Sequence, residues 1–408
     1  MNAQHIKISR MLTHKASLFI GIVSVVVLVF AVLQNTLNTS FFVRILFNDA
    51  KEFSDTGTIT SDFMPIGYSG FLGSCMRIGG TEGIPACQAF VYISILITTL
   101  YFFKLRGLLG YLLALGIIII SLHPMLVLNV WRVHDGNMTV LMLVGFLASG
   151  FFYVRSKSVW STLLFGGVTG AMLTIRINTI LLVLPALLLL YKKEEKTKNY
   201  IKKGLLFLAG TAIVFMGINM AVKQTSVFFP GHGFYNLFSG ANEYSEKYLL
   251  KDFSGENSHK EALEAKGIFS TKSFDDLMNI PSETYKTLSL NFIKEHPAEY
   301  LKLTGIKIIT FFRPGYHSPE HFRWISSEGL KRVSKIILAT PFFVWVYIVW
   351  KTKKNFFEKE NLFIFSVIIL YFAPFFVANA DPRYRFPLDI ICIADGYCRI
   401  ALRKTKIT

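Results

Sequence analysis

A short basic turn near the C-terminal end of the sequence is the segment best suited to bind an anion. Segment 381–387 contains Arg383, Tyr384 and Arg385 and lies between two apolar runs. Arginine is costly to place beside lipid and normally has a specific anionic partner there. Two guanidinium groups one residue apart, braced by prolines, suit a phosphate or pyrophosphate at the membrane surface. The alternative is a pair of ordinary anchors whose charged ends reach the interface.

Two carboxylates in other polar segments are candidates for acid–base chemistry. Asp49 has apolar neighbours, so a raised pKa would let it act as a general base toward an acceptor hydroxyl. The alternative is a solvated loop aspartate or a residue at a helix N-terminus. Asp135 follows His134 and could ligate a divalent cation or steady a phosphate-binding base. A salt bridge to Arg132 or a helix cap explains Asp135 equally well.

Three further residues are candidates for ligand contacts. Arg176 lies in a tight connection between two apolar runs, where a phosphate contact and an interfacial position are equally consistent. Tyr68 ends the segment 65–68, which by itself indicates only a turn. Asn242 lies in segment 235–243, whose small residues and amides suit a sugar but also make a plain turn.

The cysteines and histidines leave several questions open. Cys75 and Cys87 fall in one polar segment and would pair if that side of the membrane is oxidising. Cys392 and Cys398 lie in an apolar run and are expected to be inert packing residues. The histidines lack the spacing of a metal site, so no zinc is predicted. A divalent cation remains open if Asp49 and Asp135 converge on one ion.

The composition is that of a protein with many membrane crossings. Of the 408 residues, 52% are hydrophobic and 17% are charged. A net charge of +17 would suggest nucleic acid for a soluble protein, but here many of the cations lie in short segments between apolar runs. They therefore indicate topology, and the predicted partners are membrane lipids rather than nucleic acid.

About ten apolar runs are predicted to cross the membrane in a single all-α integral membrane domain, 1–408. The runs are 17–37, 89–103, 108–127, 139–153, 158–175, 177–191, 204–222, 336–350, 362–378 and 386–401. Lysines and arginines follow alternate runs, which places the N-terminus in the cytoplasm. The segments of about 38–88 and 223–335 then lie outside as a cap over the active site, and 296–312 is expected to form an amphipathic helix on the outer leaflet.

This topology puts the candidate residues on the same side of the membrane. Asp49, Asp135, Arg176 and the basic turn 381–387 all fall on the non-cytoplasmic side. An arginine pair on that side runs against the positive-inside trend. We therefore favour a function for the turn over simple anchoring.

The order of these motifs resembles the GT-C glycosyltransferases, and most closely the bacterial relatives of protein O-mannosyltransferases and of the lipid A aminoarabinose transferase. The resemblance covers almost the whole chain, and the turn 383–387 is its most specific part. The matching residues are Asp49 with Ala50, the segment 65–68, Asp135, Arg176 with Asn178, Gly240 with Asn242, and Arg383 to Pro387. The sequence departs from the family pattern in having Phe53 where a tyrosine is usual.

The resemblance implies a multi-pass enzyme of the bacterial inner membrane whose active site faces the periplasm. It implies a donor sugar on a polyprenyl phosphate such as undecaprenyl phosphate, with Asp49 as catalytic base. It also implies Asp135 as a second acidic site and Arg383 and Arg385 as a donor phosphate site. Arg176 is a further candidate for the phosphate, and Tyr68, Asn242 and Tyr384 are candidates for donor or acceptor contacts. No sizeable soluble C-terminal domain is seen, which favours a lipid-linked glycan or lipopolysaccharide O-antigen as acceptor over a protein.

Two other classes of function remain open. A lipid-linked sugar flippase would be expected to show charges at the membrane midplane and internal repeats, and no clear repeat is visible. A glycan polymerase or ligase also presents external arginines, but it usually relies on a different large loop. The sequence leaves the sugar, the acceptor, the metal requirement and the oligomeric state open.

Overall fold

A computed structural model gives the fold of most of the chain. It describes residues 41–108, 110–130, 133–191, 196–228, 230–251, 255–268, 277, 280–312, 328–352, 358–379 and 382–405. Helices dominate this part of the chain, and no strand occurs in it. The predicted crossing at 17–37 lies outside the described residues.

The first half of the fold begins with two helices of the segment 38–88 and continues with mostly apolar helices. Its helices are α1 (Phe41–Thr56), α2 (Ile66–Gly79), α3 (Gly83–Leu105), α4 (Gly110–Ser121), α5 (Pro124–Leu128), α6 (Gly136–Ser156), α7 (Val159–Ile175), α8 (Val183–Leu190) and α9 (Thr197–Lys223). A 3-10 turn, Ile177–Leu182, joins α7 to α8.

The second half begins with a group of cap helices and returns to apolar ones. Its helices are α10 (His232–Ser239), α11 (Ser245–Lys251), α12 (Gly255–Ala265), α13 (Ser282–Glu295), α14 (Pro297–Phe312), α15 (Glu328–Lys351), α16 (Lys359–Val377) and α17 (Phe386–Thr405). The 3-10 turn Pro382–Arg385 precedes α17.

Within the described residues, four helices are long and apolar enough to cross a membrane, namely α3, α6, α9 and α16. They confirm helices at the predicted runs 89–103, 139–153, 204–222 and 362–378. Shorter apolar helices cover Tyr111–Ser121, Val159–Ile175 and Ile177–Leu190. The chain is therefore an all-α protein with several helices of the kind found in membrane proteins, and ten crossings stay a prediction.

The predicted run 108–127 is not one continuous helix. It breaks between α4 and α5 at His123, whose backbone is extended with φ −65° and ψ 120°. The cause is Pro124, because a proline disfavours helical backbone at the residue before it and removes a helical N–H. The Tyr92 hydroxyl donates to the carbonyl of Ser121 at 2.8 Å, which satisfies one group freed by the break.

Glycines allow the backbones of α7 and α9 to pack directly against each other. A Cβ atom at Gly166 or Gly170 of α7 would collide with the carbonyl oxygens of Phe207 and Thr211 on α9. A Cβ at Gly210 of α9 would meet the carbonyl of Leu163 at 2.5 Å. Small residues four apart are the usual means of close helix association in membranes, where hydrophobic burial supplies no driving force between helices.

The predicted external segment 38–88 folds into α1, α2 and the start of α3. Gly73 of α2 lies against the carbonyl of Ala50 on α1, which holds the two helices together. A disulfide joins Cys75 to Cys87 with their Cα atoms 6.2 Å apart. The disulfide that the sequence left open is thus present and ties α2 to α3. Cys392 and Cys398 are buried and unpaired with each other, as expected for packing residues.

The second cap segment has its own small core. His259 of α12 stacks on Tyr235 of α10 at 3.9 Å between ring centroids, and its Nε2 bonds the carbonyl of Tyr235 at 2.8 Å. Helix α14 buries Leu303 and Lys307 and exposes Leu301. Its exposed positions include Leu301, Ile309 and Lys302, and its location on the outer leaflet stays a prediction.

Helix α17 and the 3-10 turn that precedes it carry buried charges. Arg385 pairs with Asp389 at 3.2 Å, and Arg399 pairs with Asp395 at 2.6 Å. The indole N–H of Trp345 on α15 donates to Asp395 at 2.9 Å. Each pair joins residues one helical turn apart, so the helix partly neutralises its own charges.

Candidate functional site

Four of the predicted site residues meet in one pocket of about 190 Å³. Tyr68 comes from α2, and Asp135 immediately precedes α6. Arg176 follows α7, and Tyr384 lies in the 3-10 turn before α17. Each residue lies near the end of a helix, and the packing of those helix ends brings four distant parts of the chain together.

Arg176 is held by a carboxylate, a hydroxyl and an aromatic ring. Its Nη2 lies 2.8 Å from both oxygens of Asp135, and its Nε donates to Thr139 Oγ1 at 3.0 Å. Its guanidinium carbon lies 5.0 Å from the ring centre of Tyr384. Asp135 makes no side-chain cap bond to α6, so the structure favours an ion pair as its role, with Arg176 as the partner. The sequence neighbour Arg132 lies outside the described residues.

The side chains of Arg176 and Asp135 are 10% and 22% exposed, and the pair stays charged. Burial raises the pKa of Asp135, but Arg176 and His134 outweigh it and hold that pKa below its usual range. Burial lowers the pKa of Arg176, and Asp135 more than reverses this. The pair has no net charge. Arg176 Nη1 has no hydrogen-bond partner among the described residues, which leaves one donor edge for a ligand in the pocket.

Tyr68 is placed by a glycine beside it. Gly67 approaches the backbone of Thr174 so closely that a Cβ atom would lie 2.9 Å from its carbonyl carbon. This contact explains the glycine in segment 65–68 and fixes α2 against the end of α7. Tyr68 is buried, and Gln88 donates to its hydroxyl. Burial and the nearby Asp135 raise the pKa of Tyr68 well above its usual value, so the hydroxyl stays protonated.

The pocket also contains residues that were not among the predicted site residues. His134, Asn178, His232 and Asn236 line it. Asn236 and His232, one turn apart on α10, are hydrogen-bonded at 3.0 Å. Burial and the nearby Arg176 lower the pKa of His232 to about 4, so this histidine is neutral at pH 7. Asn236 falls within the segment 235–243 that the sequence offered as a possible sugar contact, whereas His232 lies outside it.

Asp49 lies in an adjoining cleft of about 790 Å³ rather than in the pocket. Its side chain is buried, with 6% exposed. Burial and the neighbouring Glu52 raise the pKa of Asp49 to about 7, while Lys223 and a hydrogen bond from Ser61 oppose the rise. The raised pKa expected from its apolar neighbours is therefore present.

The cleft and the pocket adjoin along Asp62, Phe63 and the start of α10. Gly231 N–H donates to the Asp62 carbonyl at 2.8 Å, and His232 N–H donates to the Phe63 carbonyl at 3.0 Å. The rings of Phe63 and His232 make an edge contact at 5.3 Å. On α1, Leu46 lines the pocket and Asp49, one turn later, lines the cleft. The two cavities are thus neighbours across one turn of α1.

Lys223, at the end of α9, fixes the loop that faces Asp49. Its Nζ contacts the carbonyl oxygens of Thr60 and Ser61 at 2.6 and 2.8 Å and Asp62 Oδ1 at 2.7 Å. Three acceptors satisfy the three donors of an ammonium group. Lys223 therefore positions the loop and places a positive charge near the carboxyl group of Asp49.

Two predicted ligand contacts lie outside both cavities. Arg385 is fully buried, pairs with Asp389 and donates from Nη1 to the Phe311 carbonyl at 3.1 Å. Asp389, in the first turn of α17, thus supplies an anionic partner from within the protein. Asn242 is buried and donates to the Phe238 carbonyl at 2.6 Å, which stabilises its own turn. The side chain of Arg383 lies outside the described part of the structure.

The described residues do not form a metal site of the expected kind. They contain no group of three or more histidine, cysteine, aspartate or glutamate side chains that could hold an ion. Asp49 and Asp135 line different cavities, and both oxygens of Asp135 face Arg176. The two carboxylates therefore do not converge as a shared cation site would require.

Comparison with known proteins adds no relative. Neither a protein-family model nor a curated protein sequence matches this chain. The resemblance to the GT-C enzymes therefore rests on the sequence motifs alone.

Proposed function

We propose that this chain is a GT-C-type membrane glycosyltransferase. It transfers a sugar from a polyprenyl-phosphate donor to a hydroxyl of a lipid-linked glycan or O-antigen at the periplasmic face of the bacterial inner membrane. The observation that carries the proposal is the position of Asp49, a buried carboxyl group next to the pocket where Tyr68, Asp135 and Arg176 meet.

Asp49 has the properties of a general base. A base works best when its pKa lies near the working pH, because it must be both deprotonated and able to accept a proton. The pKa of Asp49 is raised to about 7, mainly by burial. The cleft beside it has room for an acceptor, so an acceptor hydroxyl there can lose its proton to Asp49.

Arg176 is the candidate partner of the leaving phosphate. Asp135 and Thr139 fix its guanidinium group, which leaves Nη1 for a ligand. A fixed donor in a site shielded from water stabilises developing charge more than the same donor in water. At about 190 Å³ the pocket is smaller than the roughly 300–1,000 Å³ of drug-sized sites. It suits one small group, such as a phosphate or a single sugar ring.

The reaction is a single displacement. The acceptor oxygen attacks the anomeric carbon while its proton passes to Asp49. The bond from the anomeric carbon to the phosphate oxygen breaks, and the polyprenyl phosphate leaves with the electron pair. Inversion at the anomeric carbon follows from a single displacement.

Two features support the proposed location. The four long apolar helices support a membrane protein with several crossings. The disulfide between Cys75 and Cys87 supports an oxidising compartment, such as a periplasm, for the cap. Both agree with an active site on the non-cytoplasmic side.

One observation favours a transporter as a second candidate. Helix α17 and the 3-10 turn before it bury Arg385, Asp389, Asp395 and Arg399. Ionisable residues inside a membrane often mark a transport path. Their pairing within α17 is equally explained by structural neutralisation, so a flippase of lipid-linked sugars is the runner-up.

The test uses membranes from cells that express wild-type protein, Asp49→Asn or Asp55→Asn. Asp55 is exposed on the same helix as Asp49 and serves as the matched control. Radiolabelled polyprenyl-phosphate sugars are supplied one at a time, and label is followed into a delipidated acceptor fraction. We expect transfer by wild type and Asp55→Asn and none by Asp49→Asn at equal protein level. Equal transfer by all three excludes Asp49 as base, and labelled lipid that changes leaflet without being consumed identifies a flippase.

A further inference from the structure

The cleft beside Asp49 is large enough for more than one sugar ring. Its volume of about 790 Å³ falls within the range of roughly 300–1,000 Å³ typical of ligand sites. The neighbouring pocket, with about 190 Å³, is several times smaller. If the small pocket holds the group that is transferred or released, the cleft is left for the acceptor.

The charge of the cleft disfavours an anionic acceptor. Asp49 and Asp62 line it, and no lysine, arginine or histidine is among its described lining residues. The nearest cation, Lys223, already contacts three oxygen acceptors. A phosphate placed here would meet carboxylates without a free cation, which is the kind of mismatch that excludes a ligand.

The wall of the cleft also disfavours an extended peptide. Binding of a peptide as an added strand needs unpaired main-chain groups. The carbonyl oxygens of Thr60 and Ser61 accept from Lys223, and those of Asp62 and Phe63 accept from the backbone of α10 and the residue before it. Four consecutive carbonyl groups are thus occupied, so recognition must rely on side chains.

Those side chains match the chemistry of a sugar ring. Phe63 and Phe228 are half-buried at the cleft and offer apolar surface for the C–H face of a ring. Asn48, Ser61 and Ser282 offer donors and acceptors for its hydroxyl groups. A mixture of apolar surface and a few placed polar groups is typical of small-molecule sites.

We infer that this cleft binds the acceptor as a neutral oligosaccharide of two or more sugar residues, with the attacking hydroxyl at Asp49. The inference rests on the proposed glycosyl transfer and names the class of acceptor. A neutral glycan fits the volume of the cleft and its acidic lining, and it does not need the main-chain carbonyl groups that are already hydrogen-bonded.

Binding to a glycan array tests this without requiring transfer. The full-length protein, purified in lipid nanodiscs, is applied to neutral bacterial surface oligosaccharides of increasing length, to phosphorylated sugars and to serine- and threonine-containing peptides. We expect neutral chains of two or more residues to bind about tenfold more tightly than single sugars, or about 1.4 kcal/mol. Ser282→Trp should fill the cleft and abolish this binding, whereas Glu283→Trp, on the exposed neighbouring position of α13, should retain it.

Each outcome decides between the two proposals. Binding only to phosphorylated sugars or peptides, or to no array member, overturns the oligosaccharide acceptor. Binding that Ser282→Trp leaves unchanged also overturns it, because the glycan then lies elsewhere. Oligosaccharide binding without transfer from any polyprenyl donor supports the cleft assignment and counts against the glycosyltransferase. Transfer to a lipid or protein with no oligosaccharide binding overturns this inference alone.

Discussion

Asp135 and Arg176, 41 residues apart in sequence, form a partly buried ion pair in which Nη2 lies 2.8 Å from both carboxylate oxygens. The pair joins the start of α6 to the end of α7 and aims one edge of the guanidinium group into the pocket. Its position makes it a structural link as well as a candidate ligand contact. Mutation can separate the contribution of the pair to stability from its contribution to ligand binding.

The ion pair should show strong coupling in a double-mutant cycle. Asp135→Asn or Arg176→Met leaves a buried charge without its partner, which costs about 3 kcal/mol. The double variant removes both charges and should be more stable than either single variant, as measured by thermal unfolding in detergent. All three variants should lose sugar transfer, because each removes or misplaces the guanidinium group. Additive losses of stability would contradict the coupling.

Sugar transfer should rise with pH through about 7. The base must be deprotonated, and the pKa of Asp49 is raised to about 7 by burial and by Glu52. Lys223→Met removes a charge that lowers this pKa, so the rise should move to higher pH, and Glu52→Gln should move it to lower pH. Lys223→Arg keeps the charge and should restore the profile. A pH–rate profile of label transfer checks this, and a rise that stays in place in both Lys223→Met and Glu52→Gln would contradict it.

Asp49→Asn should stabilise the fold above pH 7. The pKa of Asp49 rises from 3.8 to about 7 on folding, so between these values the folded state holds a proton that the unfolded state has lost. Stability therefore falls as pH rises through this window, and the cost of a buried charge persists above it. We expect Asp49→Asn to raise the melting temperature at pH 8, to raise it less near pH 5, and to match wild type only below about pH 4. Equal melting temperatures at both pH values would show that the charge at Asp49 carries no cost.

Parts of the pocket were predictable because polar residues at the ends of apolar runs collect at the faces of a helix bundle. This placed Tyr68, Asp135 and Arg176 on one side before any contact was known. The pairing of Asp135 with Arg176 was not predictable, since it depends on which helix ends pack together. The sequence showed only the neighbour Arg132. Likewise, α10 lines the pocket because of tertiary packing, and no sequence pattern around His232 indicated that it would do so.

Two residues predicted as ligand contacts, Arg385 and Asn242, instead have partners within the protein. The turn suggested an external anion for Arg385, yet Asp389 one helical turn later supplies the negative charge from within α17. Because the run 386–401 was interpreted as an apolar crossing, Asp389 within it was not considered as a partner for Arg385. Asn242 resembled a ligand contact, but its amide closes its own turn. Local patterns locate polar groups but do not show which partner satisfies them.

Gly210 and Gly217 of α9 should respond differently to the same substitution. A Cβ at Gly210 meets the backbone of Leu163 on α7, whereas Gly217 has no atom within 4 Å of such a Cβ among those described. Gly210→Leu should force α7 and α9 apart and lower the melting temperature by several degrees. Gly217→Leu should leave it nearly unchanged. Thermal unfolding in detergent compares the two, and equal effects would show that the helices do not pack closely at Gly210.

The disulfide between Cys75 and Cys87 gives a direct test of which side of the membrane the cap faces. It should be oxidised in cells if α2 lies in an oxidising compartment, and reduced if α2 faces the cytoplasm. Alkylation of cysteines with a mass tag, before and after reduction, reads this state, while the buried Cys392 and Cys398 supply the background. Closing a loop of this length contributes about 3 kcal/mol, so Cys75→Ser should also lower the melting temperature. A fully reduced pair in intact cells would place the cap, and with it Asp49, on the cytoplasmic side and reverse the proposed topology.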